Sequence, residues 1–180
     1  LAGYETVSDT MKVTNYRRLA EGVMDDAATT LKMPPGADVT AYKRALMERY
    51  ANPALKHRTW QICMDGSQKL PQRLLGSIRD RLAAGAPITR LVMGVAGWMR
   101  YVTGMDEQGK PIDVRDPLSA RLRAVADQAG LDAERLAPAL LDVREIFAAD
   151  LAVDLRFRGA VTDALARIIA KGAKAAVAGL

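Results

Sequence analysis

The side chains best equipped for chemistry crowd into one stretch, NPALKHRTWQICMDGSQKLPQR, residues 52–73, which holds His57, Arg58, Trp60, Gln61, Asp65, Ser67 and Lys69. Two turn signals, Asn52-Pro53 and Asp65-Gly66-Ser67, punctuate it and suit a rigid presentation of those groups. An ammonium such as that of Lys69 supplies charge and several hydrogen-bond donors, so the turn can present itself to an anionic or polyhydroxylated ligand. A plainer reading stays open: Lys56 and His57 as a solvated helix end, Trp60 as a core anchor, Asp65-Gly66-Ser67 as a cap, and Lys69 as a solvated lysine. His57 and Cys63 are the only residues of their kinds. A Cys/His zinc site and a Ser-His-Asp triad are therefore not expected, although carboxylate sites stay open. The sequence also carries no P-loop, HExxH, GxSxG or dinucleotide fingerprint.

Charge narrows the partners. The chain has a net charge of +5, and between Lys56 and Arg81 six cations (Lys56, Arg58, Lys69, Arg73, Arg79, Arg81) stand against two anions (Asp65, Asp80). Apart from Trp60 no aromatic residue interleaves them, so a small anionic ligand or a solvated face fits better than a nucleic-acid groove. A single Cys suggests a reducing, cytoplasmic setting without a disulfide framework. No apolar run is long enough to cross a membrane, and Leu1 opens neither a signal peptide nor a natural start.

The elements that must position these residues read as helices. At 180 residues, 49% hydrophobic and 5% aromatic, the chain suits one all-α domain of about seven or eight helices. Helical spacing runs from about Val13 to Leu31 and stops before Met33-Pro34-Pro35-Gly36. Asp38 or Thr40 caps a helix carrying Tyr42, Ala45, Leu46 and Tyr50, which Asn52-Pro53 ends. A short helix over Ala54–Cys63 comes next. Pro71 is expected in the first turn of the following helix, whose stripe of Leu74, Leu75, Ile78 and Leu82 leaves Arg73, Arg79 and Arg81 off the apolar side and ends at Gly85.

Ile88 to Val102 is apolar nearly all round, as in a helix buried on most sides, with Gly94 and Gly97 expected to admit a close neighbour. After a polar loop from Thr103 to Arg115, Asp116-Pro117 predicts a helix start and Gly130 its end. Asp132 begins a further helical region with Leu136, Leu140, Leu141, Val143, Ile146 and Phe147 apolar, which Pro138 is expected to bend or restart. A last helix spans about Arg158 to Ala178. From these residues alone an enzyme domain, a helical interaction module without catalysis, and a nucleic-acid binder remain as function classes.

Three blocks carry a resemblance: NPALKHRTWQICMDGSQKLPQRLL, GVAGWMRYVTGMDEQGKPIDVRDPL from Gly94 to Leu118, and the opening LAGYETVSDTM. Together they resemble the C-terminal domain of the mannitol dehydrogenase family, the polyol-specific long-chain dehydrogenases, and within it the fructuronate reductase (D-mannonate oxidoreductase) branch. The resemblance implies an all-helical domain related to that of 6-phosphogluconate dehydrogenase. It also implies an N-terminal Rossmann domain holding NAD and a catalytic Lys-x4-Asn-x2-His motif, both upstream of Leu1.

Residues 1–180 would then be the substrate-binding part, with no cofactor of their own. Their partners would be a sugar-acid or polyol substrate and the Rossmann domain, with no nucleic acid and no membrane. Self-association is also expected of the chain alone, through an apolar surface to which the Ile88–Val102 helix contributes. His57 does not match the motif's histidine. Mannitol-type members carry an arginine and, eight residues on, a lysine that contact substrate. Here Lys69 matches the lysine and Gln61 replaces the arginine, as in the fructuronate branch. Lys69, helped by Arg58 or Arg100, would meet the carboxylate of a hexuronate. A mannitol or related polyol dehydrogenase is the alternative within the family.

Overall fold

The structure is a computed structural model that describes residues 1–30 and 34–180. It is all-α among those residues, with two isolated antiparallel bridges, Thr6 to Arg58 and Met105 to Pro111. In chain order the helices are α1 (Val7–Met11), α2 (Thr14–Ala28), α3 (Val39–Ala51), α4 (Trp60–Cys63), α5 (Gly66–Arg73) and α6 (Leu75–Ala83). There follow α7 (Thr89–Val102), α8 (Ser119–Ala129), α9 (Ala133–Leu141), α10 (Ala149–Val153), α11 (Leu155–Lys171) and α12 (Ala173–Ala176). Eight of these reach eight residues or more, and the others are about one turn each.

Burial is centred on α7. Leu91, Val95, Met99 and Val102 are fully enclosed there, and the helix packs along α11 while also meeting α2, α8 and α9. An apolar surface on all sides of one helix is what lets it serve several neighbours at once. α7 is therefore the core of the domain and not an exposed docking face. The large exposed apolar side chains include Leu55, Trp60 and Ile62, all in the segment that carries the candidate site.

Several boundaries follow local chemistry. Asp38 accepts from the Ala41 amide at 2.9 Å and starts α3. Asp132 caps α9 through the Glu134 amide, and Gly85 and Gly130 close α6 and α8 with φ of +67° and +72°. α2 ends at Ala28, while Leu31 and Met33 lie outside the described residues.

Four expectations need correction. Pro71 sits inside α5, whose start at Gly66 lies further upstream, because Asp65 adopts the left-handed conformation (φ +54°) and turns the chain there. The helical region after Asp132 ends at Leu141, with Pro138 inside α9, and Val143, Ile146 and Phe147 are buried from the turns after it. Gly172 divides the last helical region into α11 and α12. Arg81 is not off the core: it is 6% exposed.

Arg81 is tolerated because its donors are matched. Its Nε donates to the Pro87 carbonyl at 2.7 Å, one terminal nitrogen donates to the Asp26 carbonyl and Thr29 Oγ1, and the other pairs with the Asp26 carboxylate at 3.2 Å. Arg90 completes the cluster with two bonds to the same carboxylate, at 2.8 and 2.7 Å. A forked guanidinium on a buried carboxylate offsets desolvation only when its remaining donors are satisfied, as they are here. This clamp ties α2 to α6 and α7, and of these α2 and α7 contribute residues to the candidate site.

Candidate functional site

The segment from Pro53 to Arg73 is held in place from two sides. The N-terminal residues run antiparallel to it: Val7 N donates to the His57 carbonyl at 2.9 Å, Thr59 N to the Glu5 carbonyl at 3.0 Å, and Thr59 Oγ1 to the Tyr4 carbonyl at 2.6 Å. From the other side, Asp65 N donates to the Arg115 carbonyl and Ser67 N to Asp116 Oδ2, each at 2.9 Å. Asp116, expected as a helix cap, also accepts from the Leu118 amide at 2.9 Å, so one carboxylate joins the first turn of α5 to the approach to α8.

Gly66 is required by packing. A β-carbon there would lie 1.9 Å from Trp98 Nε1, so only glycine lets the first turn of α5 rest against that indole. With Asp65 left-handed beside it, α5 leaves the turn in a fixed direction and carries Lys69 on its first full turn.

α5 forms one wall of a cavity of about 430 Å³, with α7 behind it and Tyr4 and Tyr16 across from it. Lys69 and Arg73 both line this cavity, as do Gly94, Gly97 and Trp98. Lys69 Nζ donates to the Gln61 carbonyl at 2.7 Å, which steadies the ammonium and leaves further donors for a ligand. Gly94 and Gly97 keep α7 low: at Gly97 a β-carbon would meet nothing within 4 Å and would simply take up space. The expected close helix approach at that glycine is thus replaced by open volume.

Electrostatically the cavity is positive. Among the described residues no carboxylate lines it, and Lys69 and Arg73 are its cationic side chains. Burial, reinforced by the charge of Glu107 and by Tyr4, pushes the Tyr16 phenol up to about 12, and burial likewise pushes the Cys63 thiol up. Two cations in a largely apolar cavity can bind and orient an anionic, hydroxyl-rich molecule. Among the described residues neither a histidine nor a carboxylate lines the cavity.

The four residues singled out from the sequence separate in space. Lys69 is in the cavity wall. Gln61 is exposed, with its backbone oxygen on Lys69 and its side-chain oxygen accepting from the Arg58 amide at 3.0 Å. Arg58 ion-pairs with Glu5 and does not line the cavity. Arg100 is 5% exposed, and its guanidinium is spent on Thr103 Oγ1 and the Met105 and Asp106 carbonyls, where it braces the following loop. Trp60, expected as a possible core anchor, is 39% exposed, with the Arg115 guanidinium 4.5 Å from its ring centroid. His57 contributes its carbonyl and lines no part of the cavity. Arg73 is a functional candidate that stands among the sequence's clustered cations without being singled out for the site, and its spacing of four from Lys69 is the signal that places both on one face of α5.

Comparison with known proteins places this architecture. Residues 1–169 match the family described as the mannitol dehydrogenase C-terminal domain. The D-mannonate oxidoreductase of Escherichia coli (strain K12) is 49% identical over 182 residues, covering 100% of this chain and 37% of that protein. A mannitol 2-dehydrogenase of Aspergillus terreus is 34% identical, over 96% of this chain and 34% of its own length. Among solved structures, the Pseudomonas fluorescens mannitol 2-dehydrogenase in ternary complex with NAD and D-mannitol superposes with a TM-score of 0.90 at 28% identity, over 98% of this chain and 35% of that one. The chain spans a little over a third of the length of these relatives.

Proposed function

The chain belongs to the mannitol dehydrogenase family, as its C-terminal domain, and from that premise we propose that it forms the substrate-binding part of an NAD-dependent oxidoreductase that interconverts D-fructuronate and D-mannonate. The observation that carries this reading is the cavity itself, walled by α5, with Lys69 and Arg73 facing it and no carboxylate among its described lining. A ligand bearing both hydroxyls and a negative charge matches that chemistry better than a neutral polyol does.

In this reading the domain orients the sugar acid and excludes water, while a further domain of the parent protein holds the nicotinamide and the general base. When bound there, NADH would supply the hydride for reduction of the sugar acid, and NAD would accept it in the reverse direction. The described residues do not fit its pyrophosphate, since they include no strand-turn-helix on which a glycine-rich loop could sit. Leu55, Trp60 and Ile62, exposed around the site segment, suit burial against that other domain or, in the chain alone, self-association. No helix among the described residues is long and apolar enough to cross a membrane.

The division of labour is directly testable. Purified residues 1–180 with D-fructuronate and NADH are expected to give no turnover above a buffer control, whereas the full-length protein that carries them oxidises NADH. Turnover that follows the isolated chain would overturn the proposal, as would a full-length protein inert towards sugar acids and polyols alike. The polyol alternative draws on the mannitol dehydrogenase relatives, and a full-length preference for mannitol or fructose would favour it. A non-catalytic helical module has no observation of its own in its favour.

A further inference from the structure

The cations around the site differ in what already neutralises them. Arg58 is paired with Glu5, Arg115 with Asp113 at 2.7 Å, and Arg100 with three loop oxygens. Lys69 is anchored on the Gln61 carbonyl. Arg73 also lines the cavity, yet has no hydrogen bond or ion pair with any described residue. It stands four residues after Lys69 in α5, about 6 Å along the helix axis at 1.5 Å per residue, so the two groups face one volume from adjacent turns. A planar guanidinium with no protein anion is well suited to two-point recognition of an anionic group on a ligand.

We propose that Arg73 is the specificity-determining cation of this site, binding the carboxylate of the sugar acid while Lys69 binds its hydroxyl or carbonyl oxygens. The proposal rests on the functional reading given above and assigns the carboxylate to a residue other than Arg58 or Arg100. The same guanidinium could instead meet a phosphate of the dinucleotide, a second source of anionic oxygen. The two sources separate by which ligand's kinetics respond.

The test uses the full-length protein and its Arg73→Gln and Arg73→Lys variants, with D-fructuronate, its neutral counterpart D-fructose, and NADH. Arg73 is exposed at the cavity rim, so both variants are expected to keep the wild-type circular dichroism and melting temperature. Arg73→Gln is expected to lower kcat/KM for fructuronate about ten- to hundredfold, as loss of a charge-assisted bond does, and to change that for fructose less than about threefold. The KM for NADH stays at the wild-type value, and Arg73→Lys recovers part of the loss. Equal losses with both sugars, unchanged kinetics, or a raised KM for NADH would each overturn the assignment. A wild-type protein inactive on fructuronate would overturn the underlying reading, whereas an active wild type with an unaffected Arg73→Gln would overturn this inference alone.

Discussion

Lys69→Ala in the full-length protein is expected to lower kcat/KM for the sugar substrate ten- to hundredfold while leaving the KM for NADH unchanged. The ammonium sits in the wall of the cavity, steadied by the Gln61 carbonyl at 2.7 Å. A charge-assisted bond from it to a substrate oxygen contributes about 1.5–3 kcal/mol, which reaches the rate if the bond persists in the transition state. The substitution also removes the link between α5 and α4 at the Gln61 carbonyl, so a melting curve has to accompany the kinetics. An unchanged melting temperature with unchanged kcat/KM would make Lys69 a solvated lysine. A fall in both NADH and sugar parameters would point to a displaced α5.

The second large effect concerns stability. Asp26→Ala is expected to destabilise the chain by about 3–5 kcal/mol, because it leaves Arg81 buried without the carboxylate that neutralises it. The other Arg81 bonds, to the Pro87 and Asp26 carbonyls and to Thr29 Oγ1, satisfy donors without supplying a countercharge. Arg90 loses both of its bonds to Asp26 as well, but it is partly exposed and water replaces them at little cost. Urea unfolding of residues 1–180, followed by helical circular dichroism, reads this as a lower midpoint at an unchanged slope. A midpoint shift worth less than about 1 kcal/mol would show that the cluster closes around another partner and is not a clamp.

How much of this was legible in the sequence depends on the range of each signal. Caps and stops act within a few residues, so Asp38, Asp132, Gly85 and Gly130 announced their helix ends, and the unbroken apolar character of α7 announced its burial. Pro71 misled because proline favours a first turn, while the actual start of α5 depends on Asp65 turning left-handed and on Trp98, more than thirty residues on, leaving room only for Gly66. Arg81 read as one more surface cation because its countercharge lies 55 residues away in α2. The same limit applies to the site.

The block around Lys69 stood out by composition and by family resemblance. The cavity, however, is assembled from the N-terminal residues, α2, the Thr59–Leu74 segment, α7 and the start of α12. That assembly separates Arg73, which faces the cavity, from Arg100, which braces a loop, although both are simply arginines near apolar residues in the sequence. Gln61 stands out in the sequence by replacing an arginine, and its side chain turns to the Arg58 amide, leaving Lys69 and Arg73 as the cationic side chains of the cavity.

The central claim is that two cations in a cavity without carboxylates select a sugar acid over a neutral sugar. It is tested most directly by the ratio of kcat/KM for D-fructuronate to that for D-fructose, measured by NADH oxidation with the full-length wild-type protein. The account predicts a ratio above about ten, the value of one charge-assisted contact. A ratio at or below one, with efficient reduction of fructose, would contradict it and identify the parent as a polyol dehydrogenase.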